Sequence, residues 1–87
     1  MLLTIDEFNE YLSQGREIEF SFNKINYFLW PDYEKNTHFY VSVEMLGDKG
    51  DWSEIFHGKK EDFFEFKFEG KYRCKEYFDK INFRYIL

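Results

Sequence analysis

The chain reads as an α+β domain, a small antiparallel sheet of about four or five strands packed with an N-terminal and a C-terminal amphipathic helix. Three observations lead there. Residues 17–30, EIEFSFNKINYFLW, alternate apolar and polar side chains about a central Asn-Lys. Helix-start and helix-stop signals bracket residues 4–15, and a helical apolar stripe returns near the C-terminus. Between them, further short segments alternate with the period of a strand.

The first element is the N-terminal helix. Thr4 is placed as N-cap, Glu7 three residues later completes a capping box, and Leu3 and Phe8 are positioned as a hydrophobic staple. Ile5, Phe8 and Leu12 share one stripe with Tyr11 at its edge, and Gly15 offers the left-handed residue that stops the helix near Ser13 or Gln14. The hairpin follows. A two-residue turn at Asn23-Lys24 pairs Phe22 with Ile25, Phe20 with Tyr27 and Ile18 with Leu29 on one apolar face. The opposite face then pairs Ser21 with Asn26, Glu19 with Phe28 and Glu17 with Trp30. A slip of one residue would turn the whole apolar set outward, so the register is well determined.

Pro31 to Thr37 is polar and aperiodic, and reads as a loop. His38 to Met45 alternates, with Phe39, Val41, Val43 and Met45 inward and His38, Tyr40, Ser42 and Glu44 outward, which predicts a third strand. Gly47-Asp48-Lys49-Gly50 signals a turn, and Trp52 to His57 a fourth strand, so that both histidines are assigned to strands. Residues 63–68, FFEFKF, carry two periods at once. Alternation of Phe64, Phe66 and Phe68 against Glu65, Lys67 and Glu69 favours a strand, preceded by a helical turn over Lys60 to Phe64 and closed by a turn at Glu69-Gly70-Lys71. Cys74, Tyr77, Phe78 and Ile81 then fall on one helical face, predicting a second helix from Arg73 to Ile81, and the alternating tail 82–87 is read as an edge strand.

Length and composition narrow the function. The 87 residues make one small domain, 1–87, with room for a single core. Aromatics are 24% of the chain, including 12 Phe and 7 Tyr, so the core is expected to be built from rings. A net charge of −5, from 17 acidic and 12 basic residues, disfavours direct binding to nucleic-acid phosphates or to an anionic membrane, but suits a basic protein partner. The single Cys74 excludes an intrachain disulfide and fits a reducing compartment. The N-terminus lacks the basic region of a signal peptide, and no apolar run approaches the roughly 20 residues that span a bilayer, so a soluble, cytoplasmic protein is expected.

Chemistry finds little purchase. Beyond carboxylates, the only metal-ligand types are His38, His57 and Cys74, without paired spacing, and Cys74 lies on an apolar stripe as a small core residue would. No glycine-rich phosphate loop is present. The chain is therefore read as non-enzymatic, with no cofactor and no metal. What stands out is surface: carboxylates interleaved with rings, giving Glu17, Glu19, Phe28, Trp30, Asp32, Tyr33, Glu61, Asp62 and Glu65 as candidate partner-binding residues. Two readings compete, that these rings are covered by a helix or loop, and that they form a protein-binding face. A homodimer through that face is a third possibility.

The stretches GREIEFSFNKINYF and GKYRCKEYFDKINFRYI, with the spacing Gly-Lys, four residues, Glu76, then Asp79-Lys80-Ile81, resemble short uncharacterised proteins of Gram-positive bacteria and their phages. The resemblance spans most of the chain and implies the same N-terminal helix, hairpin and closing helix, although Lys24 stands where such hairpins commonly carry glycine. It implies no activity. Small acidic phage proteins are often inhibitors of host defence nucleases, so two functions are expected: a protein-interaction module, or an acidic nucleic-acid mimic that blocks such a nuclease.

Overall fold

The computed structural model of the chain describes residues 1–45 and 50–87. In chain order these form α1 (Ile5–Ser13), β1 (Ile18–Phe22), β2 (Ile25–Pro31), β3 (Phe39–Glu44), β4 (Trp52–Gly58), α2 (Lys60–Glu65), β5 (Lys67–Phe68), β6 (Tyr72–Arg73), α3 (Cys74–Tyr77) running on as a 3-10 turn (Phe78–Lys80), and β7 (Asn82–Ile86). The class is α+β. Five strands form an antiparallel sheet in the order β4-β3-β2-β1-β7, and β5 with β6 forms a separate two-stranded ribbon. All the helices are short, the longest being the nine residues of α1.

The termini of α1 are closed as its sequence requires. Thr4 Oγ1 accepts from the Glu7 backbone N–H at 3.1 Å, and Glu7 Oε1 accepts from the Thr4 N–H at 2.9 Å. At the other end Gly15 sits at φ +70°, while its N–H and that of Arg16 reach back to Leu12 and Tyr11, which satisfies two terminal carbonyls. The buried stripe is narrower than the pattern suggested: Phe8 is fully buried, whereas Ile5 is 42% exposed.

The hairpin forms in the predicted register, from Ile18 opposite Leu29 to Phe22 opposite Ile25. Both turn residues have positive φ, 53° at Asn23 and 65° at Lys24, as a type I′ turn demands. β2 runs one residue further than expected, taking Pro31 as its last member, where a missing N–H costs no interior ladder bond. β3 follows with Phe39 and Val41 buried, but Met45 lies beyond its end and is 47% exposed. Of the turn assigned to 47–50, residues 47–49 lie outside the described residues, and Gly50 has φ +92°. The ladders carry two irregularities, one between β3 and β4 at Ser42 and one between β1 and β7 at Phe20.

The helical turn expected over Lys60 to Phe64 forms as α2 and runs one residue further, so the strand reading is corrected at Phe64 and Glu65, which are helical. In a strand, Phe63 and Phe64 would point to opposite faces and one would meet water. In α2 they diverge by only about a quarter turn, so both rings reach the apolar side. Phe63 lies within 6.5 Å of Phe8, Phe20, Phe39 and Phe56, and Phe64 reaches Phe8 and Phe78. Glu61 and Asp62 occupy the first turn of α2, where the helix dipole favours them. Alternation resumes only at Phe68, which is fully buried beneath Phe20, Phe22 and Tyr27.

The C-terminal helix is α-helical for four residues and then tightens into the 3-10 turn, with Cys74, Phe78 and Ile81 buried. β7 closes the sheet beside β1, as the alternating tail predicted. Its outer edge is tied by the N-terminus, whose amine donates to Phe83 O at 2.9 Å while Phe83 N–H donates to Met1 O at 2.8 Å. This pairing blunts an edge that would otherwise be open to another strand.

Two outcomes test this packing. Phe20 stacks on Tyr27 and touches Phe63, Phe68 and Phe83, so Phe20→Ala, like Phe78→Ala, is expected to cost about 3–5 kcal/mol, enough to abolish a cooperative urea transition in a domain this small. Lys24→Gly should act in the opposite sense, raising the urea midpoint by relieving about 1 kcal/mol of left-handed strain, less the entropy that glycine returns to the unfolded chain.

Candidate functional site

The helices and the β5–β6 ribbon pack on one side of the sheet, where Phe8, Phe63, Phe68 and Phe78 meet the rings of Phe20, Phe22, Tyr27, Phe39 and Phe83. The period of two then sends Glu19, Ser21, Asn26, Phe28, Trp30, Tyr40, Ser42 and Glu44 to the other side. That side carries a continuous band of rings. Trp52 lies 6.2 Å from Phe28, Phe28 5.8 Å from Trp30, Trp30 5.3 Å from Tyr40, and Tyr40 4.1 Å from the parallel ring of His57. The rings shelter one another instead of being covered: Phe28 and Trp30 are half-buried, while Trp52 remains 39% exposed.

A hollow of about 580 Å³ opens within the band, lined by Glu17, Glu19, Phe28, Trp30, Tyr33, Ser42 and Trp52. The register explains it. Glu19 lies opposite Phe28, and Phe28 opposite Ser42, so a small side chain falls where its neighbours are large rings. Acidic groups set the field there. Tyr33 donates to Glu17 Oε2 at 3.1 Å, and that hydrogen bond holds the phenol above its ordinary pKa. Tyr40 is likewise raised, first by desolvation and then by Asp32, Glu54 and Glu34. Five of the sequence-chosen residues therefore meet at this hollow: Glu17, Glu19, Phe28, Trp30 and Tyr33. Ser42 and Trp52 were missed, because their contribution depends on how β3 and β4 register against the hairpin. The outward alternation of Tyr40 and Ser42 was the available signal.

Asp32 is placed otherwise. It is buried and organises the β2–β3 loop: Oδ1 accepts the backbone N–H groups of Glu34 and Lys35 at 2.9 and 3.2 Å, and Oδ2 accepts from His57 Nε2 at 2.8 Å. The Glu34 N–H first, and then the His57 hydrogen bond, hold its carboxyl below the ordinary value, against a smaller opposing effect of burial. His38 lies just before β3, not within it, and the loop brings its ring to 5.8 Å from that of His57. Among the described residues no group of three or more His, Cys, Asp or Glu is gathered to hold a metal ion.

The remaining candidates lie across the sheet on α2. Glu65 is held by Lys75 at 2.7 Å and by Arg73 at 3.4 Å, and Asp62 stands close to Gly58, where an added Cβ would press on Phe56 at 3.1 Å. Glu61 borders a larger cavity, about 780 Å³, between the end of α1, the β2–β3 loop and the start of α2. Size does not make that cavity the better candidate. Asp32 already accepts three hydrogen bonds there, and Arg16 is committed to Leu87 O at 2.7 Å and to Gln14 Oε1 at 3.1 Å. The Cys74 thiol is pushed up to about 12 by burial, which leaves it protonated at neutral pH. No helix among the described residues is long and apolar enough to cross a membrane.

The Asp32 contacts carry a pH signature. A carboxylate whose pKa is lowered on folding stabilises the fold above its ordinary value of 3.8, and that stability is lost as pH falls through the depressed folded-state value. Asp32→Asn is therefore expected to be less stable than the parent at neutral pH and to show a flatter decline below about pH 4, read from urea midpoints across an acid series.

Compared with known proteins, the chain matches no protein family, no curated protein and no solved structure.

Proposed function

We propose that this chain is a non-enzymatic protein-interaction module that docks a basic partner on the uncovered face of its sheet. One observation carries the reading: the ring band Trp52, Phe28, Trp30 and Tyr40 runs across the face opposite the core, bordered by Glu17, Glu19, Glu44 and Glu54. Rings supply large, rigid contact area at small entropic cost, and contiguous exposed apolar surface is a recurrent mark of a docking site. The carboxylates select a partner of opposite charge and speed the encounter.

A phosphate mimic built on Glu17, Glu19, Glu61, Asp62 and Glu65 would need those carboxylates in one array. Here Glu17 and Glu19 stand on the open face, whereas Glu61, Asp62 and Glu65 belong to α2, whose Phe63 packs on the opposite one. The arrangement thus favours an anchor of rings with a charged border.

The test is quantitative capture from a Gram-positive lysate with the parent chain, Trp30→Ala, and a Glu61→Gln/Asp62→Asn control on the far side. Trp30→Ala should lower recovery of a basic protein by about tenfold or more, while the control leaves it unchanged. Equal recovery by the parent and Trp30→Ala would refute the reading. Recovery of a nuclease that nucleic acid displaces and raised salt releases would favour the acidic mimic instead.

A further inference from the structure

We infer that the hollow on the open face receives an arginine side chain of the partner, with its guanidinium laid on the ring faces and paired with Glu17 and Glu19. This rests on the interaction-module reading and specifies its anchor.

The hollow has the two features that recognise an organic cation. Its walls are rings: Phe28 and Trp52 are inclined at 59° with centroids 6.2 Å apart, so they form the sides of a cleft instead of closing into a stack. Trp30 extends the Phe28 wall at 24°. Ring faces carry negative quadrupole density, which attracts a cation at short range, most strongly at tryptophan. The mouth is acidic, since Glu17, just before β1, and Glu19 within it both line the hollow, and none of the described lining residues is basic. Ser42 at the base leaves depth where a larger residue would fill the site.

Arginine fits better than lysine. A guanidinium is planar, weakly hydrated and fork-shaped, so it can lie on a ring and donate to two carboxylates at once, whereas an ammonium is a compact, strongly hydrated charge. The same face shows this chemistry inside the chain. Arg84 stands 6.0 Å over the ring of Tyr85 and donates to Asn26 Oδ1 at 3.0 Å. The hydrogen bond from Tyr33 to Glu17 holds one carboxylate at the rim.

The experiment follows the indole N–H signals of Trp30 and Trp52 by NMR while blocked Ala-Arg-Ala is added, then the same peptide with citrulline or lysine in place of arginine. Arginine should shift both indoles saturably, with citrulline at least about tenfold weaker and lysine weaker than arginine. Glu17→Gln/Glu19→Gln is near-isosteric and lies on the surface, so the fold is retained, and it should weaken the arginine peptide by about fivefold or more. Citrulline or lysine binding as well as arginine, or arginine shifts confined to residues outside the hollow, would overturn the inference. An oligolysine peptide separates the two claims. If it shifts the open face while the arginine peptide leaves both indoles unmoved, the arginine anchor falls and the interaction module stands; if neither peptide acts, both fall.

Discussion

The ring of Phe63 joins nearly every part of this molecule. From α2 it reaches Phe8 of α1, Phe20 of β1, Phe39 of β3, Phe56 of β4 and Phe68 of β5. A short chain has few positions to spend on a core, and large rings that meet edge to face bury much area per position. Phe63 can take this place only because the backbone around it is helical. The hydrophobic demand of the sheet's apolar side therefore carries the helix through Phe64 and Glu65, against an alternation that points the other way there.

That solution uses up the covering elements. α1, α2, α3 and the β5–β6 ribbon all contribute rings or aliphatic groups to one side of the five-stranded sheet. An antiparallel sheet tolerates one solvated face, and such a face is ordinarily polar. Here it bears Phe28, Trp30, Tyr40 and Trp52, which pack against one another and so lower their own exposure without a second layer. Rings and carboxylates face each other across strands through the pairings of Glu19 with Phe28 and of Glu44 with Trp52, so the acidic border is a consequence of register.

The β2–β3 loop holds that register at one end. Asp32 collects two backbone N–H groups and the His57 ring, joining the loop to β4, and its own N–H donates to His38 O at 3.0 Å across the loop's neck. Placed this way, the carboxylate fixes where β3 begins. Tyr40, flat against His57, is then set beside Trp30. A buried polar residue here determines which rings meet on a surface it does not itself join.

Much of the fold was legible where a local rule acts alone. The hairpin register follows from the period of two and a two-residue turn, α1 from its capping box and Gly15, and β7 from an alternating tail. In the candidate site, Glu17, Glu19, Phe28 and Trp30 were readable together because one hairpin carries them all. The helical turn at Lys60 to Phe64 was expected, but where it gives way to a strand was not readable, since strand and helix periods coincide in a run of phenylalanines and only the shape of the core discriminates. Nor was the meeting of His38 with His57, or the entry of Ser42 and Trp52 into the hollow. Those depend on pairing across the β2–β3 loop and the β3–β4 connection, and periodicity within a strand holds no information about which strand lies beside it. The sequence by itself determined which side chains share a face; only the tertiary structure decided which face stays open, because that depends on where α2 and the ribbon find rings to cover.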